Sequence, residues 1–305
     1  MLDKLGIKEK KIATYDKYDF YNRWDLININ LAERWDSVIK HNPHHDISST
    51  LTDKYLVEAI TKRLDAWLPK SRKNKKFLKF DLYNEATGTS EVTDWIMKEG
   101  YDFWGVDISR EVVKRAKNNF GHKVNTSKMK VGDIRSLPFK ENTFDVVWSY
   151  GTIEHIRENQ QSVNEAFRVL KPGGLFVTGI NNRLDMWGSY LTNEATNKIY
   201  KHITSYEASF YPWSQREWLV QAGFERVKTN GTVMFPHTLR YSDLFVTWKF
   251  RNSFIRIFWD NIVIRPWVLI SKLLDNIGPL RFFGTHTTSF GYKPKQKNYT
   301  YYRII

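Results

Sequence analysis

Between Phe77 and Ile180 short apolar runs alternate with segments of helical period, and the loops between them are brief. Phe77–Leu82, Phe103–Val106, Met129–Val131, Phe144–Trp148 and Leu175–Ile180 read as strands, and Val92–Lys98, Glu111–Phe120 and Val163–Leu170 as helices. This alternation leaves few topologies, because right-handed crossovers give a parallel sheet covered by helices on both faces. Further on, Ser214 with Glu217 predicts a capped helix running through Gln221, which Gly223 terminates. Arg226–Val233 then reads as a sixth strand.

Upstream, apolar residues at Leu51, Tyr55, Leu56, Ala59, Ile60, Leu64, Trp67 and Leu68 follow helical spacing with one wet face. Thr50 with Asp53 is a capping-box start, and Pro69 with the basic run SRKNKK at 71–76 ends the segment. Residues 1–76 are therefore expected to form a helical cap with a basic linker.

The chain has 305 residues and a net charge of +14, unevenly spread. Residues 77–232 hold 20 Lys/Arg against 19 Asp/Glu, while 233–305 hold 11 against 3. A near-neutral centre with basic flanks suits additions that meet an anionic partner: a membrane, a nucleic acid or a phosphorylated substrate. A merely soluble basic surface would give the same numbers. There is no cysteine, which excludes disulfides, cysteine–zinc sites and cysteine nucleophiles. The first twenty residues lack an apolar run, and no stretch reaches about 18 uncharged apolar residues. A cytoplasmic protein, at most peripheral to a membrane, is expected.

The stretch VGDIRSLPFKENTFDVVWSYGTIEHI from Val131, followed by NEAFRVL and KPGG, sets an acidic turn, a strand, a polar loop, a helix and a Pro-Gly reversal in order. It resembles the second half of class I S-adenosylmethionine-dependent methyltransferases, in particular those of ubiquinone and menaquinone biosynthesis. The resemblance spans Phe77 to Gly231. It implies an α/β, Rossmann-like, seven-stranded and mostly parallel sheet, with a helical N-terminal cap and a helical insertion before the last strand. SFGYKP at 289–294 would be that last, antiparallel strand. The implied division is a cap at 1–76, a core at 77–233, an aromatic basic insertion at 234–284 and a last strand with tail at 285–305.

The same resemblance implies S-adenosylmethionine as cofactor and places residues around it. Asp107, ending the second strand in WGVDIS, would accept both ribose hydroxyls, since a carboxylate offers only acceptors. It would serve equally as the N-cap of the next helix. Asp133 would meet the adenine amine, or else form an Asx turn. Ile108 and Ile134 would line the pocket, with Trp148 and Ser149 at its rim. The family's glycine-rich loop after the first strand is altered here to Asp81-Leu82-Tyr83-Asn84-Glu85-Ala86-Thr87-Gly88. Tyr83 and Glu85 stand where glycines would permit positive φ, and Gly88 comes one residue late. Glu85 would face the ammonium or sulfonium of the cofactor.

Methyl transfer from a sulfonium needs alignment and exclusion of water more than acid–base chemistry. His155 is a candidate general base, or a residue packed behind the cofactor. Tyr150, Asn181, Arg183, Tyr206, Tyr211 and Trp213 are candidates for acceptor binding, because aromatic planes with a few polar groups suit a ring, a sugar or a methylammonium. A metal-binding quinone-ring subgroup carries E-x-x-E-H here. Gly151 replaces its first acid, so no metal is expected. Base methylation is disfavoured by WSYG at the end of the fourth strand and by the missing cysteine.

In the insertion, Phe254, Ile255, Phe258, Trp259, Ile262 and Ile264 interleave with Arg251, Arg256 and Arg265, and Pro266 is expected to break the run. The pattern is that of an interfacial amphipathic segment or of a helical lid. The expected function is methyl transfer to a small or lipid-linked acceptor such as a cell-envelope glycan or lipid intermediate, with an anionic membrane surface as partner. The alternatives are a non-catalytic scaffold and an RNA-directed methyltransferase that uses the basic flanks.

Overall fold

A computed structural model describes residues 30–41, 50–189, 191 and 208–295. Seven strands form one sheet: β1 (Lys76–Phe80), β2 (Asp102–Asp107), β3 (Met129–Val131), β4 (Phe144–Tyr150), β5 (Leu170–Asn181), β6 (Glu225–Gly231) and β7 (His286–Tyr292). Their order is β3-β2-β1-β4-β5-β7-β6. β1 to β5 are parallel, and β7 runs antiparallel between β5 and β6. The Rossmann-like sheet expected from the alternation is present. The chain moves outward from β1 to β3 and then returns beside β1 with β4. In open α/β sheets such a reversal opens a crevice beyond the carboxyl ends of the strands.

The helices are α1 (Leu31–His41), α2 (Leu51–Trp67), α3 (Tyr83–Thr87), α4 (Glu91–Lys98), α5 (Arg110–Phe120), α6 (Asn159–Val169), α7 (Pro212–Gln221), α8 (His237–Lys249), α9 (Phe254–Phe258) and α10 (Arg265–Asp275). Several local expectations are corrected. The seventh strand starts at His286 rather than Ser289. α7 begins at Pro212, whose fixed φ suits a first helical position, and buried Ser214 makes no cap. Pro266 does not break the insertion. A π-helical turn over Trp259–Ile264 carries the path from α9 into α10, where Pro266 sits in the first turn and its missing N–H costs nothing.

α2 starts at the capping box foreseen for it: Thr50 Oγ1 accepts from Asp53 N at 3.0 Å, and Thr50 N donates to Asp53 Oδ2 at 3.2 Å. It has two apolar faces. Ile60, Leu64 and Leu68 pack with Phe77, Val146, Trp148, Val177 and Phe290 of the sheet. Tyr55 and Ala59 pack with Val233, Phe235 and Ile264 at the insertion. Polar bonds fasten the insertion to the same helix. Thr52 donates from its hydroxyl to Asp243 Oδ2 at 2.9 Å, and Tyr55 OH donates to Asp275 Oδ2 at 2.6 Å while accepting from Met234 N. The Tyr55–Asp275 bond is buried, so Tyr55→Phe should lower stability by about 1–3 kcal/mol in urea denaturation. An unchanged midpoint would show that the insertion is held by its apolar contacts alone.

Candidate functional site

β1 carries a lysine in its buried interior. The Lys79 side chain is 3 % exposed, and a buried ammonium is costly unless it is paired. Its Nζ donates to Glu85 Oε2 at 2.9 Å and to Asp81 at both its carbonyl (3.0 Å) and Oδ1 (3.2 Å). Burial alone would pull the Lys79 pKa down, but the Asp81 and Glu85 carboxylates outweigh it and hold it above the usual value. Glu85 is completed by Thr93 Oγ1, which donates to Oε1 at 2.5 Å.

This pair reorganises the first βα turn. Asp81 takes the positive φ, +65°, and residues 83–87 coil into α3, which Gly88 closes at φ +85°. Tyr83 and Glu85 sit in helical conformation, so the positive φ that glycines would supply is not required of them. The expectation that Glu85 faces a cofactor cation is corrected, because its carboxylate is turned inward onto Lys79 and Thr93.

Asp107 ends β2 and is buried. Its Oδ2 accepts from Leu82 N at 2.9 Å and its Oδ1 from Ser109 N at 2.8 Å. Two of roughly four acceptor positions are thereby filled. Burial pushes its pKa up to about 7, against the pull of those two backbone bonds. Ser109, whose Oγ accepts from Val112 N at 3.0 Å, is the N-cap of α5, so Asp107 is not the cap. Ile108 is half-buried beside it.

Asp133 forms the Asx turn to Arg135 N at 2.8 Å, and Arg135 Nε and Nη2 grip both its oxygens at 2.7–3.0 Å. Burial would raise the Asp133 pKa, but these bonds outweigh it and hold it below the ordinary value. Arg135 also reaches Glu158 Oε2 at 2.8 Å. Ile134 packs into the core rather than standing free.

The loops after β1 and β4 meet at the crevice. Thr152 Oγ1 donates to Asp81 Oδ2 at 2.9 Å, and Gly151, at φ +72°, has nothing within 4 Å of where a Cβ would stand. α1 bridges both loops. Trp35 stands edge-on to Tyr83 at 5.8 Å and to His155 at 5.2 Å. Asp36 anchors that helix by accepting from Ser109 Oγ and from Glu111 N.

Beyond β4, Trp148 and Ser149 are buried within the sheet, and Tyr150 stacks on His286 at 5.1 Å. His286 in turn lies 5.0 Å from the His237 ring and opposite Asn181 in the β5–β7 register. Arg183, Tyr211 and Trp213 form another group: Tyr211 stacks on Trp213 at 4.6 Å, and the Arg183 guanidinium lies over Tyr211 at 5.6 Å. Tyr206 lies outside the described residues. Among the described residues, no three His, Asp or Glu side chains come together as a metal site.

Sequence reading passed over Lys79, Trp35, His237 and His286. A lysine inside a predicted strand two residues before an altered glycine loop was the one available signal for the first. The histidines lie too far apart in the chain to suggest each other.

Residues 85–178 match the family profile described as a methyltransferase domain. A 2-methyl-6-phytyl-1,4-hydroquinone methyltransferase of Synechocystis is 37 % identical over 86 residues, 28 % of this chain and 27 % of that protein. A ubiquinone/menaquinone biosynthesis C-methyltransferase of Ruegeria is 41 % identical over 69 residues, 23 % and 25 % of the two chains. The chain thus spans about a quarter of the length of these curated relatives. In fold, it is similar to a SAM-dependent methyltransferase, possible histamine N-methyltransferase, of Thermotoga maritima. That structure has a TM-score of 0.50 at 20 % identity and covers 88 % of this chain and 99 % of its own.

Removing one member of a buried ion pair strands the other, so Glu85→Ala should cost about 3–5 kcal/mol in urea denaturation, with Glu85→Gln milder. A loss under about 1 kcal/mol would mean that Asp81 alone suffices for Lys79. With the ordered motifs, the sheet topology and the matched profile taken together, the chain carries a class I S-adenosylmethionine-dependent methyltransferase domain.

Proposed function

We propose that the protein transfers the methyl group of S-adenosylmethionine to a small or lipid-linked acceptor while resting on an anionic membrane surface. The observation that carries the cofactor reading is Asp107, a buried carboxylate with acceptor positions to spare at the switch point. Those positions suit a ribose diol. Gly88 and Gly151 leave open space beside it, with nothing within 4 Å of either Cβ position. Asp81, anchored by Lys79 and Thr152, would hold the ammonium at the methionine end in place of Glu85. Trp35, between Tyr83 and His155, would shield the site from water. Bound there, the cofactor supplies an already activated methyl group on sulfur. His155, packed on Trp35, then serves as part of the wall rather than as the base.

A non-catalytic reading draws on Asp133, whose oxygens Arg135 already occupies. Calorimetry with S-adenosylhomocysteine separates the two. Binding by the wild type, weakened about tenfold or more in Asp107→Ala, supports the enzyme. No binding at millimolar ligand would leave a scaffold. Affinity should also rise with pH through about 7, as the Asp107 carboxylate ionises and becomes a full acceptor, and Asp107→Asn should flatten that profile. A wild-type affinity independent of pH would remove Asp107 from the site.

The membrane reading rests on the insertion's outer surface. Phe254 is 76 % exposed, Leu269 and Leu273 61 %, Ile262 60 % and Ile257 59 %. Among residues 245–277 the exposed charges, Lys249, Arg251 and Arg265, are all basic. The acids there are withdrawn: Asp275 is buried on Tyr55, and Asp260 pairs with Arg256 at 2.8 Å. Exposed apolar side chains in such number, with only basic exposed charges among them, are suited to the boundary of an anionic bilayer. No helix among the described residues is long and apolar enough to cross a membrane.

Co-sedimentation should show tighter binding to phosphatidylserine-containing vesicles than to neutral ones, weakening as salt screens the charges over about 8–10 Å. Phe254→Ser with Phe258→Ser, both exposed, should reduce binding about tenfold without lowering the melting temperature. Indifference of the wild type to anionic vesicles at low salt would refute the membrane role.

A further inference from the structure

We propose that His237 and His286, with Tyr150 and Asn181, form the acceptor subsite, and that this subsite takes a hydroxyl-bearing acceptor, a phenol or an alcohol, at the atom to be methylated. The inference rests on the methyl-transfer reading above and names its substrate class.

Four elements distant in sequence build the subsite. Tyr150 ends β4, Asn181 ends β5, His286 opens β7 opposite Asn181, and His237 opens α8 in the insertion. All lie at the carboxyl end of the parallel strands, on the side of β4 away from β1, so that β4 alone separates them from the cofactor crevice. The rings are in contact: Tyr150 on His286 at 5.1 Å and His286 against His237 at 5.0 Å. Asn181, His237 and His286 are each more than nine-tenths buried. Yet both nitrogens of His237, Nδ1 of His286 and both amide atoms of Asn181 have no hydrogen-bond partner among the described residues, while the Tyr150 hydroxyl beside them is held by Thr232. Buried polar atoms are almost always paired, and leaving one unpaired costs about 1–3 kcal/mol. Several orphans converging beside a reaction crevice mark a place where a ligand supplies the missing bonds.

The chemistry of the orphans selects that ligand. A neutral imidazole offers one donor and one acceptor, and an amide both. That set matches a hydroxyl, which also donates once and accepts. It suits an ammonium less well, because a cation has no lone pair to satisfy the donors among these groups. It does not match a carboxylate or phosphate, which needs cations.

The charged groups around the subsite are already committed. On α8, Arg240 pairs with Asp53 of α2 at 3.3 Å, and on α10, Asp275 accepts from Tyr55 of α2. The other titratable neighbours are the phenols Tyr241 on α8 and Tyr150 itself, and the buried Glu154 carboxylate, whose charge acts on Tyr150. Burial, and then the charge of Arg240, lower the His286 pKa to about 3; burial, His286 and Arg240 keep His237 well below its usual value as well. Both rings therefore stay neutral in the resting site, each with one donor and one acceptor, and take up a proton only from the strongly acidic oxonium that methyl transfer creates.

The transfer balances without other reactants. The acceptor oxygen forms its bond to the methyl carbon as the carbon–sulfur bond breaks, and that electron pair stays on sulfur. The hydroxyl proton passes to an imidazole nitrogen. One positive charge leaves sulfur and one appears on the imidazole, so the buried site gains no net charge.

The test uses two probes that differ only at the reacting atom, 4-nitrophenol and its methyl ether 4-nitroanisole. Each is titrated into the full-length protein with and without S-adenosylhomocysteine, at a pH where the phenol is neutral. Wild type should bind the phenol about tenfold more tightly than the ether, the worth of one good hydrogen bond to a group otherwise unpaired. His286→Phe and His237→Leu should each lose that preference while binding S-adenosylhomocysteine as wild type does. In ¹⁵N-histidine-labelled protein, the ring nitrogens of these two residues should shift with the phenol and not with the ether. Equal affinity for the two probes, or no phenol binding by protein that binds S-adenosylhomocysteine, overturns the subsite and leaves the methyltransferase reading intact. If S-adenosylhomocysteine fails to bind, that reading falls, and the phenol preference without it still decides the pocket. If a histidine variant misfolds, the ¹⁵N response of the wild type decides alone.

Discussion

The architecture of the crevice depends on one buried ion pair. Lys79 and Glu85 lie on either side of the first βα turn, both nearly inaccessible, and each needs the other. Burying two charges has a high desolvation cost, and a pair like this is rarely the most stable solution for a core. What it provides is a fixed geometry. With Lys79 drawn to Glu85 and Asp81, the turn cannot relax into an open glycine loop. It winds into α3 instead and presents Asp81 to Thr152 across the switch point. The other side of the crevice follows, since Leu82 N reaches Asp107 and Tyr83 meets Trp35 only because the turn is wound this way.

A second constraint is mechanical. α2 is the strut between two bodies of apolar packing, one with the sheet and one with the insertion. Its polar bonds to Asp243 and Asp275 use acids that would otherwise oppose an anionic surface. The inner side of the insertion is thereby fastened to the core, and the outer side keeps its aromatic and aliphatic side chains in solvent with asparagines and only basic exposed charges among them. α8 belongs to both worlds, because it begins with His237 beside the sheet and ends among the exposed aromatics Phe245 and Trp248.

Much of this was legible in the chain. Strand and helix periods in the core are local properties, and so was the capping box of α2, since a few neighbouring residues determine each. Asp107 was legible because its place at the end of a strand was. The inward turn of Glu85 was not. It depends on Lys79 being buried, and a lysine in a strand is usually read as an edge or a bulge. The Asx turn at Asp133 was readable but not its pairing with Arg135, because a two-residue contact of this kind depends on rotamers. His237 and His286 were invisible as a pair, since it takes the pairing of β6 with β7, continued by the bond from Thr232 N to His286 O, to bring them together. Pro266 misled because its effect in a helix depends on where the helical turn widens, which is set by packing on α2.

The place of β7 has a consequence for the order of assembly. β6 pairs in the sheet only with β7, and β7 fills the space between β6 and β5. During synthesis, therefore, β5 keeps an open edge and β6 has no neighbour until residues 286–292 have left the ribosome. The insertion emerges before them. Its apolar surface is exposed while the sheet is still unfinished, so the nascent chain presents that surface before the domain it belongs to has closed.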